Sequence, residues 1–308
     1  MRVAVIDIGT NSTRLLIGDV DGKGNVDELD RRSRVTRLGD QVDRDGRLSE
    51  EAMERVFATL SEYRRALDDH GVVANLAVLT SAVRDAANGG AFSERVRQDF
   101  GLDARMLAGA EEAQLTFLGA TSGRDEGASV PTVIIDIGGG STEFVVGEER
   151  RAGFHVSLQA GVVRMSERHI HSDPPNPEEL QRLTADVRKT FAAAVPEDER
   201  ERVRAAIAVA GTATSAASID QELDPHDPER VHGYPLLLAT TEMLLARLAD
   251  MTDEQRREVV GLHPDRAPTI VAGMILLGEA MRLFGLDRAE VSEHDILRGG
   301  ALRLAGLG

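Results

Sequence analysis

Apolar residues in this chain follow two rhythms. Short runs rich in β-branched residues, at 3–8, 76–80 and 205–210, read as buried strands, and between them apolar positions recur every three or four residues, as helices require. Ser49 is placed to cap a helix reaching Asp69. Glu50 and Glu51 lie in its first turn, Ala52, Val56 and Leu60 on one face, and Gly71 stops it. Ser81 is placed to cap a helix containing Arg84, and Gly109 precedes one containing Glu111, Glu112, Leu115 and Leu118. Residues 122–131 (SGRDEGASVP) read as a loop and a domain boundary. Beyond it, Asp173–Pro177 is a proline-rich turn, 177–194 a helix, and 205–210 a strand leading into Gly211-Thr212-Ala213-Thr214 and a small-residue helix. The segment 267–283 is apolar on most sides, which places it deep, against a domain interface. Strands interleaved with helices give the α/β class.

An internal repeat organises this pattern. Residues 5–18 read VIDIGTNSTRLLIG and residues 134–147 read IIDIGGGSTEFVVG. The identities pair Ile6 with Ile135, Asp7 with Asp136, Ile8 with Ile137, Gly9 with Gly138, Ser12 with Ser141, Thr13 with Thr142 and Gly18 with Gly147. Copies so far apart imply duplicated domains rather than a short-period array. In each copy an apolar run ends in aspartate, a glycine-containing turn follows, and a second apolar run begins, which predicts a β-hairpin. Glycines there let main-chain amides approach an anion.

Composition narrows the possibilities. A length of 308 residues suits two domains. Aromatic residues make up 3% of the chain, so cores must be packed with Leu, Val, Ile and Ala. A net charge of −16 excludes a broad basic footprint for duplex nucleic acid, although a few arginines and a metal ion can reverse the field locally for a polyanion. Lysine occurs only at 23 and 189; arginine forks bind phosphate well, but the bias equally fits codon usage. Without cysteine there are no disulfides, thiolate metal sites or cysteine nucleophile. The N-terminal residues lack a signal-peptide layout, and the longest apolar stretch, 270–278, is far short of a membrane span. The expectation is a cytoplasmic protein.

The chain resembles the exopolyphosphatase / guanosine-pentaphosphate phosphohydrolase (Ppx/GppA) family of the actin-like ATPase superfamily. The matching stretches are DIGTNSTRLLI (7–17), RLG (37–39), TSAVRDA (80–86), GAEEAQL (109–115), DIGGGSTE (136–143), AGTATS (210–215), HG (232–233), GLHPDRAPTIVAGMILL (261–277) and LRGGAL (297–302). The resemblance implies two tandem actin-like (ribonuclease H-like) domains with an interdomain active-site cleft. The domains would span 1–126 and 127–295, with residues from about 296 to 308 folding back on the first. It looks like the short, two-domain form. A homodimer is implied by the resemblance alone.

The residues then sort by chemistry. Gly9, Thr10, Asn11 and Ser12, and Gly138, Gly139, Gly140 and Ser141, form two candidate phosphate loops; the competing reading is two tight hairpins. Acids beside a phosphate loop would repel the substrate unless a cation lay between them, and Mg2+ is the oxygen-seeking choice. Asp136 and Glu143 are the predicted metal contacts, with Asp7 nearby and acting through water; a turn-capping role is the alternative for the aspartates. The resemblance implies that Glu112 activates the attacking water, whereas its residues alone leave it an ordinary helix-surface glutamate like Glu111. Arg84, Arg37 and, more weakly, Arg266 are candidate phosphate clamps, with solvated surface arginine as the alternative. Gly211 and Thr212 sit where a further phosphate could meet helix amides, or where the turn simply closes. The histidines form no convincing metal set, and no Gly-x-Ser-x-Gly elbow supports a serine hydrolase.

The expected function is a Mg2+-dependent exopolyphosphatase releasing terminal orthophosphate from inorganic polyphosphate by in-line water attack. Guanosine pentaphosphate (pppGpp) is the alternative substrate at the same site. A non-catalytic nucleotide-binding sensor, and an actin-like ATPase or sugar kinase, are the rivals. The four acids argue against the sensor, and the lack of a second glycine at 211–214 argues against an adenosine site.

Overall fold

The structure, a computed structural model, describes residues 1–40, 42–124, 130–148 and 151–307. The chain forms two compact units, Met1–Arg124 with His294–Gly308, and Asp125–Glu293. The sequence-predicted boundary after residue 126 lies outside the described residues.

The first unit contains β1 (Arg2–Ile8), β2 (Ser12–Val20), β3 (Val26–Val35), α1 (Val42–Asp45), α2 (Glu50–Asp69), β4 (Ala74–Leu79), α3 (Ser81–Asp85), α4 (Gly89–Phe100), β5 (Ala104–Met106) and α5 (Gly109–Thr121). The second contains β6 (Thr132–Ile137), β7 (Thr142–Glu148), β8 (Arg151–Leu158), α6 (Val162–His169), α7 (Pro177–Ala194), α8 (Glu197–Arg202), β9 (Ala205–Val209), α9 (Ala210–Asp220), α10 (Pro228–Val231), β10 (Pro235–Leu237), α11 (Leu238–Ala249), α12 (Asp253–Arg257), α13 (Ile270–Leu283) and β11 (Arg288–Val291). The chain then returns to the first unit as α14 (Ile296–Leu304).

The two sheets repeat one plan. The first has the order β3-β2-β1-β4-β5, and the second β10-β11-β9-β6-β7-β8. In each, an antiparallel meander (β1–β3, β6–β8) is extended by parallel strands from its first member, to β4 and β5 or to β9 and β11. The sequence repeat is therefore a structural one, and the protein is α/β as its pattern predicts.

Burial explains the composition of the strands. β1 is central and covered on both faces, so Val3 through Ile8 are all buried and no alternation is visible. Ala4, Ile6 and Ile8 meet α2 and α4, whereas Val3 and Val5 meet Leu118 of α5 and Leu297 and Ala301 of α14. Each fully buried aliphatic side chain contributes about 1.5–3 kcal/mol. β3, at the sheet edge, is instead densely charged, which discourages pairing with another chain.

Helices begin at their local caps. Ser49 Oγ accepts from the Ala52 amide at 3.2 Å, and α2 ends at Asp69. Asn176 and Glu179 form a reciprocal capping box at the start of α7. α13 is buried along nearly its whole length in the core of the second unit. Ser81 departs from expectation. Thr80 takes the cap position, and the buried Ser81 hydroxyl instead lies 3.0 Å from Thr10 Oγ1, because both hydroxyls need partners out of water.

Candidate active site

The two glycine turns have the same wiring. Gly9 N–H donates to the Ser12 carbonyl at 2.9 Å, and Gly138 N–H to the Ser141 carbonyl at 3.0 Å, so each hairpin is closed by its first glycine. Neighbouring segments then consume the loop carbonyls. Gly39 N–H reaches the Thr10 oxygen at 2.8 Å, and the Thr36 and Arg37 amides reach the Asn11 oxygen at 3.0 and 2.9 Å. In the second turn the amides of Val162 and Val163, at the start of α6, take the oxygens of Gly138 and Gly139, both at 2.9 Å. Among the described residues, the amides of Thr10, Asn11, Gly139 and Gly140 donate to no protein acceptor. Carbonyls tied down and amides left over give each turn donors that an anion could take. Glycine at 39 allows its close approach to Thr10, since a Cβ there would lie 2.2 Å from Thr10 Cγ2 and force it to shift.

The acids at the strand ends differ between the units. Register pairs Asp7 with Arg14 across β1–β2, and Asp136 with Glu143 across β6–β7. Asp7 Oδ2 accepts from Arg14 Nε at 3.0 Å and Nη2 at 2.6 Å, while its buried Oδ1 has no hydrogen-bond partner. Arg14 Nη1 also donates to Asp295 Oδ2, and Asp295 Oδ1 accepts from the Leu297 amide at 3.0 Å to cap α14. Burial pushes the Asp7 carboxyl above its ordinary range, Arg14 opposes this, and the Asp295 charge adds to it. Burial pushes Asp295 up as well, but Arg14, Arg31 and the Leu297 amide together hold it low.

In the second unit, the cross-strand partners Asp136 and Glu143 project from the same sheet face, about 4.5–5.5 Å apart at Cβ. Both are half-buried, and Glu143 Oε1 accepts from Ser157 Oγ at 2.6 Å. Among the described residues, no group of three or more His, Asp or Glu side chains is arranged to hold a metal ion. A pair of carboxylates still suits magnesium, which is held by one or two such groups with water and phosphate oxygens completing the shell. The donor set thus fits the ion at Asp136 and Glu143, whereas Asp7 is already neutralised by Arg14.

Glu112 lies in the first turn of α5, and its side chain is 12% exposed. Arg84 Nη1, from α3, donates to its Oε2 at 3.0 Å. Burial raises the Glu112 carboxyl above the usual range, Arg84 opposes the shift, and the Asp7 charge adds to it. Glu111, one residue earlier, is exposed and pairs with Arg303 at 3.2 Å. Structure thus separates two glutamates that sequence alone left equivalent.

The remaining candidates are more dispersed. Arg37 is exposed and has φ 47°, with its amide tied to Asn11. Gly211 and Thr212 fall within the first turn of α9, after Ala210 at φ 65°. Arg266 Nη1 donates to the Gly211 carbonyl and to Ser215 Oγ, each at 2.8 Å, and Thr212 is buried against Gly273. Sequence reasoning missed Arg14 and Asp295. Arg14 stands where the second repeat has Glu143, and that mismatch was the available signal.

A duplicated α/β fold of this kind, with an amide-rich turn at each strand end, sets the frame for the comparisons, which place the chain in the phosphatase class of hydrolases. Residues 16–303 match the Ppx/GppA phosphatase family, and the chain belongs to that family. It is 38% identical to exopolyphosphatase 2 of Mycobacterium tuberculosis, over 99% of each chain. It is also similar to the crystal structure of the Aquifex aeolicus Ppx/GppA family member, with TM-score 0.84 and 30% identity over 99% of this chain and 97% of that one. An exopolyphosphatase structure from Cytophaga hutchinsonii matches with TM-score 0.88 and 28% identity, over 100% and 99%. No helix among the described residues is long and apolar enough to cross a membrane.

Proposed function

We propose that this phosphatase is a magnesium-dependent exopolyphosphatase that releases terminal orthophosphate from inorganic polyphosphate. The full-length likeness to exopolyphosphatase 2 supports the substrate class. The observation that carries the chemistry is the environment of Glu112: buried, raised in basicity, and held at Oε2 by Arg84. That bond fixes one carboxylate oxygen and leaves Oε1 to accept a proton from water.

The water oxygen forms a bond to the terminal phosphorus as the bridging P–O bond breaks. The water proton passes to Glu112, and the shortened polyphosphate departs. Within each unit the turn supplies amides suited to phosphoryl oxygens: those of Thr10 and Asn11 in the first, those of Gly139 and Gly140 in the second. In this reading the exposed guanidinium of Arg37 and that of Arg84 hold phosphate charge, and Arg266, Gly211 and Thr212 are the candidate phosphate contacts of the second unit. A magnesium ion at Asp136 and Glu143 would neutralise phosphate charge and polarise phosphoryl oxygens.

Phosphate release from polyphosphate with Mg2+, measured for wild type and Glu112→Gln, tests the reading. The variant should lose about 10²–10⁴-fold in kcat; near-full activity would remove Glu112 from the mechanism. Supplying polyphosphate and guanosine pentaphosphate at equal concentration decides the substrate, and preferential cleavage of the nucleotide would overturn the polyphosphate assignment.

A further inference from the structure

Beyond the reacting groups, an unbroken line of alternating charge crosses the first unit. Asp7 bonds Arg14, and Arg14 bonds Asp295. Asp295 lies 4.0 Å from Arg31, which pairs with Glu28 at 3.1 Å; Glu28 is 3.7 Å from Arg298. Arg298 Nε ends the line on Ser122 Oγ at 2.7 Å, the residue that follows α5. Asp295 is the pivot, since it is buried, accepts from Arg14, and caps α14 through the Leu297 amide.

The same residue also touches the helix that carries Glu112. A Cβ on Gly119 would lie 1.9 Å from the Asp295 carbonyl oxygen, and one on Gly299 would lie 1.9 Å from the Leu115 carbonyl oxygen. α5 and α14 therefore meet backbone to backbone, with no side chain to cushion the distance. One end of α14 thus fixes two things together: the orientation of Asp7, through Arg14, and the position of α5, hence of Glu112. It also explains Gly299 of the LRGGAL stretch, whereas a Cβ on Gly300 would meet Val5 of β1 at 2.9 Å.

We propose that Asp295 is a positioning residue of the hydrolytic site, setting the geometry between Asp7 and Glu112 from the N-terminus of α14. The proposal rests on the reading of Glu112 as the base. Asp295 touches no reacting atom; it acts through Arg14 and through the α5–α14 contact.

The test is a double-mutant cycle on phosphate release from polyphosphate. Asn caps helices as well as Asp does, so Asp295→Asn keeps the shape and the cap while removing the charge that holds Arg14. Its kcat should fall about 10- to 100-fold, as small misplacements of reacting groups do, with KM within about twofold. In a Glu112→Gln background the same change should cost little more, because the residue being positioned is already disabled. An unchanged kcat, or an equal loss in both backgrounds, would overturn the proposal. Glu111→Gln, which breaks only the exposed pair with Arg303, serves as the control and should leave kcat unchanged. Should Asp295→Asn fail to fold, Arg31→Gln is read instead, with a smaller kcat loss of the same non-additive kind expected and additivity counting against it. Wild type that releases no phosphate sinks the functional reading; active wild type, inactive Glu112→Gln and fully active Asp295→Asn sink this inference alone.

Discussion

The hairpins β1–β2 and β6–β7 begin from nearly the same sequence and end in opposite electrostatic states. Both place an aspartate at the strand end, close the turn through the first glycine, and leave loop amides over. Opposite Asp7, however, stands Arg14, whereas opposite Asp136 stands Glu143. The first hairpin neutralises its own acid and is sealed by Asp295 from α14. The second sets two carboxylates side by side, a donor pair of the kind that suits a divalent cation. Duplication supplied one scaffold, and a single cross-strand position made its copies differ: an acid–arginine pair at the strand end in one and a pair of acids in the other.

Removing the cross-strand partner should break this contrast most visibly. Arg14→Met strands two buried carboxylates and should lower unfolding free energy by about 3–5 kcal/mol, whereas Glu143→Met, at a half-buried position, should cost clearly less. Denaturant unfolding of both variants checks this; equal losses would erase the distinction. Next in size, Asp136→Asn should reduce phosphate release by about 10²-fold and raise the Mg2+ concentration for half-activity, with little change in unfolding. The turns themselves come third. Gly39→Ala drives a methyl into Thr10 and should cost about 1–3 kcal/mol, whereas Gly138→Ala, whose Cβ would meet only the Ser141 oxygen at 3.4 Å, should change stability by no more than about 0.5 kcal/mol. The smallest effect is a displacement in pH. The Glu112 carboxyl is raised and must be ionised to accept a proton, so kcat/KM falls as pH drops through its raised value. Arg84 holds that value down, so Arg84→Gln should move the acid limb to higher pH; a move to lower pH would contradict the ion pair's role.

How far the sequence spoke depends on the range of each interaction. The hairpins were legible because their signal is local: an apolar run, an aspartate and a glycine turn, twice. Ser49 and α2 were legible for the same reason. The Ser81 reading failed because a hydroxyl in a capping position also had a partner, Thr10, 71 positions earlier. Arg14 and Asp295 meet across 281 positions, and no periodicity or spacing carries such a pair. Glu112 sits between these cases. Its helix is written in the pattern, but its burial, which separates it from Glu111, depends on packing.

The return of α14 to the first unit has a consequence for the order in which the protein is made. All of the second unit is synthesised before residues 294–304, while the first unit, though translated earlier, still lacks the helix that seals β1 and the carboxylate that completes the Arg14 bridge. Vectorial synthesis ordinarily lets the N-terminal domain fold first. Here the unit translated earlier cannot be completed until residues 294–304 follow the second unit.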